Sequence, residues 1–192
     1  MKDIDQLKQD IVFDVTLRGH PLTFHSTWGL FSPRRIDDGT YKLIEKVEVA
    51  PADLTLDLGC GYGAIGVAIA KDSPQGAVHM VDKDFVALDF AAKNAAVNSI
   101  DNVEIYQSNA LGAVPDIKFD NICSNLPAHV GAQLLRIILC DAKAHLKGGG
   151  KLYVVTIAGL RKFIKRNFQE VFGNYRKLKQ GKTYTVALAV NE

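Results

Sequence analysis

Material for disulfides, metal clusters and membrane spans is scarce in this 192-residue chain. Its three cysteines, Cys60, Cys123 and Cys140, are odd in number and form no C-x-x-C pair. They predict reduced thiols in a cytoplasmic protein, with no disulfide frame and no metal site. No apolar run is long enough to cross a bilayer, and the charged opening M-K-D-I-D-Q-L-K-Q-D reads as neither signal peptide nor membrane anchor. Repeats, low-complexity tracts and proline-rich linkers are also missing. The expectation is one domain over 1–192, with 1–36 as an extension carrying a hairpin and 37–192 as the core.

Charge is scarce only on average. The formal net charge is +2, yet eight Lys/Arg (Arg161, Lys162, Lys165, Arg166, Arg176, Lys177, Lys179 and Lys182) face one acid, Glu170, between positions 161 and 182. The rest of the chain holds 15 basic and 20 acidic residues and is net negative. Such a block suits either a phosphate-facing surface or a solvated helix face with charged strand edges.

Strand and helix patterns alternate along the chain. Val12–Leu17 and Leu22–His25 flank R-G-H-P and predict a small hairpin. Helical spacing covers Asp37–Val49, Ala64–Lys71, the stretch from Asp84 to about Asn98, Ala132–Leu146 (closed by Gly148, Gly149 and Gly150) and Leu160–Phe172. Strands are predicted over Leu54–Leu58, Ala77–Val81, Val103–Gln107, Phe119–Ser124, Lys151–Ile157, Tyr175–Leu178 and Tyr184–Val190. The fold expected is α/β and Rossmann-like. Its seven-stranded, mostly parallel sheet has helices on both faces, a C-terminal antiparallel hairpin and a small N-terminal β extension.

The most informative stretch is L-T-L-D-L-G-C-G-Y-G-A-I, positions 54–65. A strand ends near Asp57, and Gly59, Gly61 and Gly63 alternate before a helix begins, which is where an α/β sheet holds a nucleotide-like ligand. Two ligand classes fit. Gly61, Gly63 and Gly66 satisfy the dinucleotide pattern G-x-G-x-x-G, and Asp82 ends the second strand about twenty residues on. An acid there accepts hydrogen bonds from ribose hydroxyls in either class, so it does not discriminate.

The run D-L-G-C-G-Y-G resembles the first motif of class I S-adenosylmethionine-dependent methyltransferases, and the terminal hairpin is that family's habit. After the fourth strand comes Ser124-Asn125-Leu126-Pro127-Ala128-His129, where amino-group methyltransferases of this kind carry N-P-P-aromatic. An exocyclic amine is a poor nucleophile because its lone pair is delocalised into the base. Acceptors at the Asn side chain and the next carbonyl hold it facing the methyl group, so catalysis is positioning rather than strong-base chemistry. Proline stiffens the turn and the aromatic stacks on the base. Here Leu126 replaces the first proline and Ala128 the aromatic, a loss of stacking worth ~1–3 kcal/mol unless Trp28, Phe31 or Tyr62 supplies a face.

Together with W-G-L-F-S-P-R-R-I-D-D-G-T and F-D-N-I-C-S-N-L-P-A-H-V-G, these motifs resemble the catalytic domain of the small-subunit rRNA guanine-N2 methyltransferase C group, within the small-domain methyltransferases. The likeness runs from about Phe24 to Ile157. Bacterial members of that group carry an additional N-terminal copy, and this chain reads as the single-domain form. The resemblance implies S-adenosyl-L-methionine as cofactor and ribosomal RNA as partner. It implies that Asp57, Gly59, Gly61 and Gly63 shape the cofactor pocket, with Cys60 contributing through its backbone. Asp82 then holds the ribose with Lys83 beside it, Asn109 and Ala110 meet the adenine, and Gly39 and Thr40 of D-x-G-T lie near the methionine end. Asn125, which also belongs to the cofactor-binding set, orients the target amine with Pro127, and His129 touches base or phosphate. The basic block with Tyr175 and Tyr184, and Arg34 with Arg35, are candidate RNA-backbone contacts. Three other readings compete: an impaired module that binds cofactor or RNA, a methyltransferase with another acceptor, and a nicotinamide oxidoreductase.

Overall fold

The computed structural model describes residues 9–128 and 130–192. The chain opens with an antiparallel pair, β1 (Ile11–Leu17) and β2 (His20–Ser26), in which Leu17 faces His20 across a two-residue turn. Arg18 (φ 52°) and Gly19 (φ 83°) both take left-handed angles, the backbone that a tight hairpin with right-twisted strands demands. Arg18 has a Cβ and so bears strain there. Its guanidinium is held by Asp72 and by the carbonyls of Ile44 and Val47, each at 2.7 Å.

After α1 (Asp38–Ile44) comes a seven-stranded sheet. Its strands are β3 (Leu54–Leu58), β4 (Ala77–Asp82), β5 (Val103–Gln107), β6 (Phe119–Asn125), β7 (Leu146–Ile157), β8 (Arg176–Gln180) and β9 (Tyr184–Val190). Their order is β5-β4-β3-β6-β7-β9-β8; β9 runs antiparallel to β7 and β8, and the other neighbouring pairs are parallel. The helices α2 (Ala64–Asp72), α3 (Phe85–Val97), α4 (Ala132–Ala144) and α5 (Arg161–Phe172) connect them. Two apolar clusters cover the two faces. Ile65, Ile69, Met80 and Ala91 belong to one, which also takes in Leu22 and Phe24 of the hairpin, and Leu56, Leu139, Phe168 and Ile122 to the other. The strand order reverses at β3, between β4 and β6, so the crevice for a ligand opens above the carboxyl ends of those strands.

The fold class, the sheet and the terminal hairpin are as expected from sequence. Two boundaries differ for physical reasons. The first core helix ends at Ile44 rather than Val49, because the Arg18 guanidinium captures the carbonyls of Ile44 and Val47. Gly148, Gly149 and Gly150 do not close a helix, since α4 ends at Ala144 with His145 as its cap. They lie inside β7, where the pairing with β6 jumps from Phe119–Leu146 to Asn121–Lys151. That bulge is tight: a Cβ on Gly150 would meet the carbonyls of Lys147 and Phe119 at 2.9 and 3.0 Å.

Candidate functional site

Five amides of the glycine turn between β3 and α2 are spent internally. Gly59 N and Cys60 N both donate to the Val81 carbonyl at 2.9 Å, and Gly63 N to the Cys60 carbonyl. Gly61 N donates to Asp82 Oδ2 at 2.9 Å, and Gly66 N to Asp57 Oδ2 at 2.8 Å. A pyrophosphate cradle needs N–H groups aimed at the ligand. This turn points these five at its own strands and carboxylates. Gly59 and Gly61 have φ of +74° and +55°, and a Cβ on either would enter open space. Room therefore lies in front of the turn for a ligand held by shape and by Asp82 rather than by backbone amides.

Asp57 lies beneath the turn, not on the pocket wall. It is fully buried, and its Oδ1 has no hydrogen-bond partner among the described residues. Burial pushes its pKa up to about 7, the Gly66 N–H pulls it down, and the charge of Asp82 pushes it up further. Burial also drives the Cys60 thiol well above its usual range, with Asp57 and Asp82 adding to the effect, so it is no nucleophile. Asp82, at the end of β4, lines the pocket while Oδ1 accepts from Asp84 N at 3.1 Å.

The pocket, about 250 Å³, spans the ends of β3 to β6. Gly59, Asp82, Lys83, Asn109, Ala110, Asn125 and Pro127 all line it, from separate parts of the sequence. Val130, Leu134 and Ile138 close it with an apolar wall that suits a flat ring. Ser108 shapes the adjoining loop: its hydroxyl donates to the Ala110 carbonyl at 2.7 Å and accepts from Ala113 N at 3.0 Å. Ala110 is thereby kept at φ 51°, and Asn109 is held at the pocket edge. Gly61, Gly63 and Cys60 are not among the lining residues, nor are Gly39 and Thr40.

Those last two residues back Asn125. The Asn125 amide nitrogen donates to Thr40 Oγ1 at 2.9 Å and to Asp37 Oδ2 at 3.4 Å. Asn125 lines the pocket, and its Oδ1 has no hydrogen-bond partner among the described residues. Asp37 is the N-cap of α1. Its Oδ2 also accepts from Gly39 N and Thr40 N, and its Oδ1 accepts from the Tyr184 hydroxyl at 2.8 Å. That hydrogen bond, with burial adding, pushes the Tyr184 pKa up to about 12. Any Cβ on Gly39 would lie 2.9 Å from both Asp37 and the Tyr184 ring, so only glycine lets this trio close.

Among the candidate stacking aromatics, Tyr62 is buried against Phe13 and Phe24. Its hydroxyl donates to the carbonyls of Ser32 and Arg35 at 3.3 Å and pins the preceding loop. Trp28 and Phe31 are exposed, and the Arg34 guanidinium lies 4.6 Å over the Trp28 ring. His129 lies outside the described residues. No group of three or more His, Cys, Asp or Glu able to hold a metal occurs among the described residues, and no helix among them is long and apolar enough to cross a membrane. Sequence reasoning missed Asp37, Ser108 and the inward role of Tyr184. Asp37 alone carried a signal, as an acid one residue before a helix start.

The sequence matches the model of the methyltransferase small domain over residues 21–188. It is 36% identical over 141 residues to the Bacillus subtilis (strain 168) protein YbxB, described as uncharacterized, covering 72% of this chain and 70% of that one. It is 34% identical over 163 residues to the ribosomal RNA small subunit methyltransferase C of Haemophilus influenzae (strain PittGG), covering 83% of this chain and 48% of that one. Among solved structures, the T. thermophilus 16S rRNA N2 methyltransferase in complex with AdoMet and guanosine superposes with a TM-score of 0.86 at 27% identity. That match covers 94% of this chain and 50% of the other. This chain thus spans about half the length of the methyltransferase C proteins it matches.

Proposed function

The chain belongs to the methyltransferase small domain family, and on that premise we propose that it methylates the exocyclic N2 amine of a guanine in small-subunit ribosomal RNA. Its cofactor is S-adenosyl-L-methionine. When bound, that cofactor supplies an electrophilic methyl group on a sulfonium. Asp82 would hold the ribose hydroxyls, with Lys83 alongside. Asn109 and Ala110 would hold the adenine end, beside the apolar wall of Val130, Leu134 and Ile138. The turn at Gly59 and Gly61 leaves space for the methionine end, and the buried Asp57 braces the turn through the Gly66 amide.

The observation that carries the reading is the orientation of Asn125. Thr40 and Asp37 take its amide nitrogen, so its carbonyl oxygen is the atom offered to a substrate N–H. A guanine N2 amine donates such a bond, and Pro127 stiffens the turn that places it. Support also comes from the T. thermophilus neighbour, which is in complex with AdoMet and guanosine. A guanine in folded RNA has to be single-stranded or extruded to reach this pocket.

The test is methyl incorporation from labelled S-adenosylmethionine into small-subunit RNA, followed by nucleoside analysis. N2-methylguanosine is the expected product. Asn125→Ala is expected to lower kcat by ~10²–10³, as loss of one positioned polar group in a catalytic site does, while cofactor binding persists. Methyl transfer by the variant at the wild-type rate would sink the role of Asn125. Ala128 in place of a stacking aromatic favours a second reading, a different acceptor. Methylation of another substrate class with RNA left unmodified would select it.

A further inference from the structure

The rim that carries Asn125 continues across the sheet. Asn125 pairs with Val155 of β7, and Ile157 at the end of β7 pairs with Tyr184 at the start of β9. Thr185 in turn pairs with Gln180, the last residue of β8. Three strand spacings separate β6 from β8, so the end of β8 lies about 15 Å from Asn125 along the same edge. A shallow groove there is lined by Arg161, Lys177, Gln180, Gly181 and Lys182. Arg161 is built into it: Nε donates to Thr185 Oγ1 at 2.8 Å and a terminal nitrogen to the Gly181 carbonyl at 3.3 Å. Lys177 reaches only a neutral partner, Gln180 Oε1 at 2.8 Å. Glu170, the one acid in the basic block, is taken up by Arg136 and Arg166. Lys177, Lys179 and Lys182 are thus exposed with no carboxylate partner among the described residues.

Lysines on an edge strand also block sheet-to-sheet pairing, and β8 is an edge with a register shift between Lys177 and Lys179. Edge guarding, however, works with charge of either sign. It gives no reason for a cation in the turn at Lys182, or for an arginine fastened into the groove on the rim that holds Asn125. We propose that this groove, lined by Arg161, Lys177 and Lys182 and flanked by Lys179 of the same edge strand, is the track for the phosphodiester backbone of single-stranded RNA whose target base enters the pocket at Asn125. The inference rests on the RNA reading of the acceptor. Such contacts give affinity and direction to the strand and no choice of base.

The test is the triple variant Lys177→Glu/Lys179→Glu/Lys182→Glu, which keeps the edge charged while removing the attraction to phosphate. Binding to an unstructured RNA oligonucleotide is measured across a salt series, with a cofactor thermal shift to confirm folding. Each lost single-strand phosphate contact takes ~0.7 from the salt slope, so the slope is expected to fall by about 2 and affinity by roughly a hundredfold at about 0.1 M salt. KM for RNA rises in step, and kcat at saturating RNA stays at the wild-type value. If the triple variant folds poorly, Lys177→Gln/Lys182→Gln is expected to lose about 1.4 of the slope. Wild-type affinity and slope in a folded variant would overturn the track while leaving the acceptor reading in place. A wild-type protein that binds no RNA would overturn both. Lost binding to polyglutamate with RNA binding intact would overturn the track in favour of an acidic protein partner.

Discussion

Asn125 and Asp57 are two polar side chains at strand ends with opposite relations to water. Asn125 is half-buried, with its nitrogen fixed by Thr40 and Asp37. Asp57 is fully buried, with one oxygen bonded to the Gly66 amide and the other unpartnered among the described residues. Burial raises its pKa to about 7, from 3.8 in an unstructured chain. The native state therefore binds the proton more tightly than the unfolded state, and stability is expected to fall as pH rises through the window from about 4 to about 7. At 1.36 kcal/mol per unit the full effect is on the order of 4 kcal/mol. Other carboxylates pull the opposite way. Lys93 holds Asp10 low, and Arg18 with His20 outweighs the burial of Asp72 to lower it too. Comparison with Asp57→Asn isolates the one group. Urea unfolding at pH 5 and pH 8 is expected to show the variant gaining on wild type by a few kcal/mol at the higher pH. Identical pH dependence in the two proteins would mean that Asp57 is charged throughout.

At the scale of elements, much of what holds the hairpin to the core is written in two asparagines one helical turn apart. Asn94 accepts from His25 N at 2.7 Å and donates to the His25 carbonyl at 2.9 Å, while Asn98 makes the same pair with Thr23 at 2.9 and 2.8 Å. The side of α3 thus serves β2 as a substitute strand edge. Asn94 also donates to the Tyr62 carbonyl at 2.8 Å, which couples the hairpin to the glycine turn. Asn94→Ala improves helix propensity by about 0.5 kcal/mol but strands buried backbone groups. A net loss of about 2–3 kcal/mol is expected from the urea midpoint, and a loss under about 0.5 kcal/mol would show that apolar contacts alone hold the hairpin. Patterns of this kind are hard to read from sequence. The alternation in β1 and β2 and the spacing of α3 are local and were legible. An asparagine that replaces a strand partner has no periodic signal, and neither does a glycine triplet that bulges a strand instead of ending a helix.

On the scale of the whole molecule, the same division holds for the site. Residues whose task is local could be read along the chain, such as the turn glycines, Asp82 at a strand end and Asn125 before Pro127. Tyr184 could not, because its bond to Asp37 joins positions 147 residues apart and depends on β9 inserting between β7 and β8. The choice between ligand classes was likewise out of reach of a glycine pattern that both satisfy; the family match decides it, and the inward direction of five amides agrees. With Gly59, Cys60, Gly61, Gly63 and Gly66 all donating inward, S-adenosylmethionine and its demethylated product need no rearrangement of the turn, whereas NAD(H) would have to break several of these bonds to seat a pyrophosphate. A ligand at a hundred times its dissociation constant adds about 2.7 kcal/mol to stability, and a chain of this length shifts its melting temperature by roughly 2–4 °C per kcal/mol. Thermal unfolding is therefore expected to rise by about 5–10 °C with either sulfur compound and to stay unchanged with NAD(H) at the same concentration. An equal rise with NAD(H) would mean that the inward bonds yield easily, and the turn would then select its ligand by something other than the direction of its amides.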